Sequence, residues 1–390
     1  MHQFADRFDG VTGSEIRKIF ALLSDPEIIS FAGGNPSPEA FPNETLAQIA
    51  SGLIASDGAR VLQYGNTKGL PELLSLLAGQ NSGVMKEYDD IIMLSGSSQG
   101  IELFTRTMLN EGDAMLVESP TFLGALQTFF LARADVRPVE LQEDGVDLAD
   151  LECKIERYAP KFFYIIPTFQ NPSGITTSGE KRRRVYELCK QYGVMVLEDD
   201  PYAELRYEGE PLPSIKSYDD SGLVCRLQSF SKTVSPGLRV GYAIAHRDVI
   251  GKFNLLKQGQ DVHTSNLTQA MVYEFLRGGY FGEHVAALCK RYKAQRDCML
   301  AAIEKYFPKE VRCTRPLGGL FLWAALPEGM DAKSLFSACV ERKVAFVPGQ
   351  PFFVEPGHEN TLRMNFSMPN CADIEAGVER MGRIIREYTY

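Results

Sequence analysis

Ser229-Phe230-Ser231-Lys232-Thr233-Val234-Ser235-Pro236-Gly237-Leu238-Arg239-Val240-Gly241 is the stretch on which the reading turns. An apolar run beginning Gly222-Leu223-Val224-Cys225 leads into it, and Val240-Gly241-Tyr242-Ala243-Ile244 follows. Hydroxyls flank the lysine, and an arginine stands seven residues later. An amine among small hydroxyl donors and a guanidinium can hold a phosphate-bearing aldehyde. The amine forms a Schiff base while the hydroxyls and arginine grip the phosphate. A solvated serine-rich turn reads the same way, so other segments must decide.

The strand-like runs outward from it are Ile91–Leu94, Ala114–Val117, Phe162–Ile166, Val194–Leu197, Val224–Leu227 and Val240–Ile244. Short, continuously apolar runs fit strands buried on both faces of a largely parallel sheet. Helical patterns alternate with them. In the clearest, Thr177 and Glu180 read as a capping box ahead of an apolar face of Val185, Leu188, Cys189 and Tyr192. The alternation predicts an α/β domain over residues 46–285. Beyond it, a long helix near Glu283–Tyr306, strand runs at 319–324, 344–347 and 362–366, and a last helix with Ile374, Val378, Met381 and Ile385 on one face predict an α+β unit over 286–390. Residues 1–45, broken by Gly33-Gly34-Asn35-Pro36 and Pro38, read as an arm.

Bulk properties exclude several classes. The 390 residues carry a formal charge of −9, with 44% hydrophobic and 23% charged residues. That balance suits a soluble globular chain and argues against nucleic acid or membrane as main partner. The basic run Lys181-Arg182-Arg183-Arg184 reads as a solvated helix face. No apolar run approaches the roughly 20 residues of a membrane helix, and the start shows no signal-peptide core. Eight cysteines without a CxxC pair read as reduced, mostly buried thiols of a cytoplasmic protein. No metal-ligand spacing is seen.

In an α/β sheet ligands bind at the carboxyl ends of strands, so the residues there carry the chemistry. Ser95-Gly96-Ser97-Ser98 opens a helix and suits a phosphate, or plain turn chemistry. Phe122 suits stacking on a flat heterocycle, or the core. Asn171, in Asn171-Pro172-Ser173-Gly174, is a turn residue whose amide could reach a ring oxygen. In Glu198-Asp199-Asp200-Pro201-Tyr202, a carboxylate under a pyridine nitrogen makes better sense than Mg²⁺, because no nucleotide loop accompanies the acids. Asp199 would keep that nitrogen protonated, and Tyr202 would donate to the ring's phenolate oxygen.

These segments, in order, with Phe31-Ala32-Gly33-Gly34-Asn35-Pro36, Leu62-Gln63-Tyr64-Gly65 and Leu362-Arg363-Met364-Asn365-Phe366-Ser367, resemble the fold-type I, pyridoxal 5'-phosphate-dependent aminotransferases of class I/II. The branch with 2-aminoadipate, kynurenine and multi-substrate enzymes is most similar. The resemblance covers nearly the whole chain and implies an aspartate aminotransferase-like fold, a mostly parallel sheet in a large domain plus a smaller α+β domain that the arm joins. It implies Lys232 as the Schiff-base lysine, Ser97, Ser98, Ser229, Ser231 and Arg239 on the phosphate, and Phe122 on the ring. It implies Asp199 at the ring nitrogen, and Asn171 and Tyr202 at the phenolate oxygen. Arg363 would clamp the substrate carboxylate, Gly34 would lie in a substrate-contacting turn, and Asn171-Pro172 would be cis. Tyr64 would reach a partner's phosphate, which implies a homodimer with shared sites. The implied reaction moves an amino group between an L-amino acid (aromatic, branched-chain or 2-aminoadipate type) and a 2-oxo acid. Glutamate and 2-oxoglutarate form the expected second pair. Arg17 is a candidate for a distal substrate carboxylate, or an ordinary surface residue. Other pyridoxal phosphate chemistry, such as a C–S lyase, and an aminotransferase-like regulator are the competing readings.

Overall fold

The computed structural model describes residues 4–8 and 25–389; Arg17 lies outside them. The strands, in chain order, are β1 Ile29–Ser30, β2 Asp89–Leu94, β3 Ala114–Ser119, β4 Asp135–Gln142, β5 Gly145–Val146, β6 Phe162–Ile165, β7 Met195–Asp199, β8 Val224–Ser229, β9 Gly241–His246, β10 Arg312–Cys313, β11 Phe321–Ala325, β12 Val344–Ala345, β13 Val347–Pro348 and β14 Thr361–Asn365. Eight form one sheet in the order β2-β9-β8-β7-β6-β3-β4-β5. β8, β7, β6, β3 and β4 are mutually parallel, while β9 runs antiparallel to both β8 and β2.

Helices cover both faces, which is why the strand sequences are apolar at every position rather than at every second one. Leu116, Phe163, Ile165 and Val196 pack with Leu151 and Ile155 of the helix Leu148–Tyr158 and with Val185, Leu188 and Cys189 of the helix Gly179–Tyr192. Their alternates Met115, Val117, Phe162, Tyr164 and Leu197 pack on the other face with Phe104, Phe129 and Phe253. The six expected strands are all present. β4 was not among them: Asp135-Val136-Arg137-Pro138-Val139-Glu140 alternates polar and apolar, and a proline interrupts it. It is tolerated because β5 pairs only with Leu141 and Gln142, leaving Pro138 on an unpaired edge.

Chain order reverses between β3 and β6. β3 continues outward to β4, whereas β6 leads the other way through β7 to β8. Adjacent loops therefore diverge there and leave a crevice at the strands' carboxyl ends. The second sheet, β10-β11-β14-β13, is antiparallel throughout. The arm is laced beside it: β1 and β12 form a separate two-stranded sheet, Phe31 N–H donates to Ala345 O at 2.7 Å, and Asn365 N–H of β14 donates to Phe31 O at 2.7 Å. Ile374, Val378, Met381 and Ile385 of the last helix are fully buried, as their spacing predicts.

Three expectations fail. The cap of the helix Gly179–Tyr192 is Ser178, whose hydroxyl accepts Lys181 N–H; Thr177 is buried instead. The basic run is not wholly a solvated face. Arg182 is 1% exposed and donates to the carbonyls of Pro167, Thr177 and Pro213 and to Thr168 Oγ1, because backbone carbonyls converge where its side chain enters the core. Finally, Cys298 and Cys371 form a disulfide rather than two thiols. They are 73 residues apart, and only the packing of the helix Tyr280–Tyr306 against Cys371–Thr389 brings their Cα atoms to 5.7 Å.

A bridge closing so long a span contributes about 2–4 kcal/mol, mainly by restricting the unfolded chain. Reductant should therefore lower the melting temperature of the native chain by several degrees and leave that of Cys371→Ser unchanged. A melting curve insensitive to reductant in the native chain would show that the bridge adds no stability.

Candidate active site

The crevice holds a cavity of about 320 Å³ whose lining is drawn from almost every segment singled out in the sequence. Ser97 and Ser98 start the helix Ser97–Met108 after β2, Phe122 follows β3, and Asn171 follows β6. Asp199 ends β7, with Tyr202 just beyond. Ser229 ends β8, and Ser231, Lys232 and Arg239 follow it. Gly34 comes from the arm, and Arg363 from β14 of the other sheet. Asn35, Ile166, Pro201 and Pro236 complete the wall; none had been singled out. The Asn171-Pro172 bond is cis, as the resemblance implied. Tyr64 is the exception among the described candidates. It is 80% exposed and lies outside this cavity, edge-on to His263 at 5.9 Å.

At one end several hydrogen-bond donors gather. Gly96 (φ +89) precedes the helix Ser97–Met108, whose first amides have no side-chain cap. Arg239, itself at φ +54, donates from Nη2 to Ser95 O at 2.9 Å. A Cβ on Gly96 would lie 2.5 Å from that same Nη2, so only glycine lets the guanidinium lie against this turn. Ser229 Oγ and Ser231 Oγ are 2.9 Å apart. Helix amides, a guanidinium and hydroxyls together suit a phosphate dianion.

In the middle stand an amine and a carboxylate. Lys232 Nζ donates to Gly34 O at 2.9 Å. Burial, then the nearby Arg363 and Arg239, lower its pKa to about 8. Asp199 accepts from Tyr164 Oη through Oδ2 at 2.9 Å, while its buried Oδ1 has no partner. Burial raises its pKa to about 7, and the Tyr164 bond opposes the rise. The neighbouring acids are engaged elsewhere. Glu198 accepts the Ile215 and Lys216 amides at 2.7 and 2.9 Å, and Asp200 pairs with Arg226 at 2.7 Å. Among the described residues no cluster of acids, histidines and cysteines could hold a metal. A protonated ring nitrogen fits the vacant Oδ1, so the residues present fit a pyridine ring bearing a phosphate and an aldehyde.

Arg363 closes the far end. Nη1 donates to Asn171 Oδ1 and Nη2 to Ala32 O, both at 2.9 Å. Its guanidinium carbon lies 4.4 Å from the centre of the Phe321 ring and 5.2 Å from that of Phe352. Burial lowers its pKa to about 10, which leaves it cationic at neutral pH, and Nε is buried without a partner. Besides those four wall residues, sequence reading missed Tyr164 and the rings of Phe321 and Phe352. The only signal for Tyr164 was a hydroxyl inside an otherwise apolar strand.

The family model for aminotransferase class I and II matches residues 26–381. The chain is 40% identical over 379 residues to a 2-aminoadipate transaminase of Thermus thermophilus, covering 96% of this chain and 94% of the relative. It is 38% identical over 395 residues to aromatic-amino-acid aminotransferase 1 of Thermococcus litoralis, covering 98% and 94%. It superposes with a TM-score of 0.92 and 38% identity on LysN, an α-aminoadipate aminotransferase from Thermus thermophilus complexed with N-(5'-phosphopyridoxyl)-L-leucine, covering 99% and 98% of the two chains. A site built for a phosphorylated pyridine aldehyde, in a chain matched to this family along almost its entire length, belongs to a class I/II aminotransferase, a pyridoxal phosphate-dependent enzyme of fold type I.

Proposed function

We propose that this enzyme transfers the amino group of an aromatic, branched-chain or 2-aminoadipate-type L-amino acid to a 2-oxo acid, with 2-oxoglutarate and glutamate as one pair, in a ping-pong cycle. The observation that carries the site assignment is the convergence in one cavity of a depressed lysine amine, a carboxylate with a free buried oxygen, an uncapped helix start beside Arg239, and a buried arginine with a free Nε. The substrate classes are supported by the relatives' activities and, for the branched-chain type, by the leucine adduct bound in LysN.

When bound, pyridoxal phosphate supplies a carbonyl for amines and a ring that accepts electron density from the substrate Cα. The first-turn amides at Ser97 and Ser98, the hydroxyls of Ser229 and Ser231, and Arg239 would hold its phosphate. Phe122 would lie against the ring, Asp199 would meet the ring nitrogen, and Asn171 and Tyr202 would meet the ring oxygen. Arg363 binds the substrate carboxylate in a two-pronged contact that lysine could not reproduce. Lys232 Nζ, which donates to the carbonyl of Gly34, would take up and return the substrate Cα proton. Only the neutral amine can accept it, and burial with two nearby cations favours that form.

We also propose that Tyr64 binds the phosphate of a second copy. It stands on an exposed apolar surface with Leu62, 65% exposed, and Val262, 46% exposed, as a residue donated across a dimer interface would.

Initial rates with an amino-acid panel against 2-oxoglutarate should give parallel double-reciprocal lines; intersecting lines would rule out the ping-pong cycle. Lys232→Ala should lose at least about a thousandfold in kcat. Borohydride should fix the cofactor to the native chain at Lys232 and to no residue of the variant, as read by peptide mass. Amine labelling of the cofactor-free chain addresses the lysine directly. Lys232 is protonated below its pKa, so its reactivity should rise with pH to a midpoint about 8; a midpoint near the ordinary lysine value of about 10.4 would refute the depressed amine. Mixing Tyr64→Ala with Lys232→Ala should restore about a quarter of native activity, because hybrid dimers contain one intact site. No recovery on mixing would remove Tyr64 from a shared site.

A further inference from the structure

Tyr164 is a fully buried phenol that the reaction as described does not use. It lies on β6 opposite Leu197 of β7, and its hydroxyl reaches across to Asp199 Oδ2 at 2.9 Å. Phe129 packs edge-on against its ring at 5.5 Å, which holds the hydroxyl in place. The other oxygen of Asp199, Oδ1, is buried without a partner. One oxygen is thus occupied by a fixed donor and one is left for the cavity that Asp199 lines.

We propose that Tyr164 is a positioning residue: its hydroxyl takes Oδ2, presents Oδ1 to the cofactor's ring nitrogen, and keeps the shared proton on that nitrogen rather than on Asp199. This rests on the reading of Asp199 given above. A hydrogen bond to a carboxylate stabilises the anion and lowers its proton affinity. Burial and Asp200 act in the opposite direction, and Lys232 acts with Tyr164. Glu118 and Tyr202 lie near enough to act on the phenol itself, and both, with Asp199, hold it in its protonated, donating form. Without the hydroxyl, Asp199 becomes the stronger base. The proton then crosses from nitrogen to Oδ1, the two formal charges cancel, and no other bond changes. The ring loses the positive charge that makes it accept electrons.

The test titrates the cofactor-free chain and its Tyr164→Phe variant with pyridoxal phosphate and with the deaza analogue, in which a CH group replaces the ring nitrogen. The variant should bind pyridoxal phosphate about tenfold more weakly, the scale of one hydrogen bond to a charged group, and bind the analogue within about twofold of the native chain. In ring-labelled holoenzyme the nitrogen NMR signal should move from the protonated toward the neutral position. Equal loss for both ligands, or loss for neither, would overturn the proposal. Asp199→Ala separates this inference from the reading beneath it. If that substitution weakens both ligands alike, or neither, the role of Asp199 itself fails. If it weakens pyridoxal phosphate selectively and Tyr164→Phe does not, only the role of Tyr164 fails. Should the phenylalanine variant not fold, a fluorinated tyrosine at position 164, a stronger donor of nearly the same size, should raise the preference for pyridoxal phosphate over the analogue; an unchanged preference overturns the proposal.

Discussion

Arg363 ties three parts of the chain together at the cavity. It stands on β14 of the smaller sheet, donates to Asn171 in the loop after β6 of the larger one, and donates to Ala32 of the arm. A guanidinium carries five donors in a rigid plane, so it can take several acceptors while its faces lie on rings, here Phe321 and Phe352. The arrangement sets the depth of the cavity. It also carries the arm to the position where the Gly34 carbonyl receives Lys232 Nζ. The buried charge is tolerated because two carbonyl-type oxygens satisfy it, and its free Nε remains for a ligand.

Much of this was legible because parallel strands covered on both faces must be apolar along their length, and such runs stand out. The residue after each run then falls at the carboxyl edge, where the fold places its crevice. That reasoning marked Ser97, Phe122, Asn171 and Asp199 as strand-end candidates, the resemblance joined them to Lys232 in one site, and the structure brings all five to one cavity. It could not find β4, whose pattern is that of a half-exposed edge strand with a proline. Nor could it find the Cys298–Cys371 bridge, because the two sulfurs meet only through the packing of two distant helices. Arg182 misled for a related reason. Three arginines and a lysine in a row look solvated, yet helical spacing turns one of them inward, where backbone carbonyls receive it.

The run Glu198-Asp199-Asp200 shows how a strand sorts like charges. Successive side chains of β7 point to opposite faces, so Glu198 and Asp200 share one side and Asp199 takes the other. Glu198 is consumed by two backbone amides and Asp200 by Arg226. Three adjacent acids at a strand end might have formed a cation site; the pleat separates them, and only Asp199 is left to the cavity.

Burial then acts on the site's two titrating groups in opposite senses. It raises Asp199 to about 7 and lowers Lys232 to about 8, so each is brought toward neutrality near physiological pH. The two shifts serve different ends on the proposed reading. For the lysine, neutrality is the working state, since only a free amine accepts a proton, and the cations Arg363 and Arg239 reinforce it. For the aspartate, neutrality would remove the charge the ring nitrogen needs, and the one hydrogen bond it receives opposes it. Tyr164 and the two arginines therefore play matching parts on opposite groups: each biases a buried residue toward the protonation state its task requires, where burial alone would treat acid and base alike.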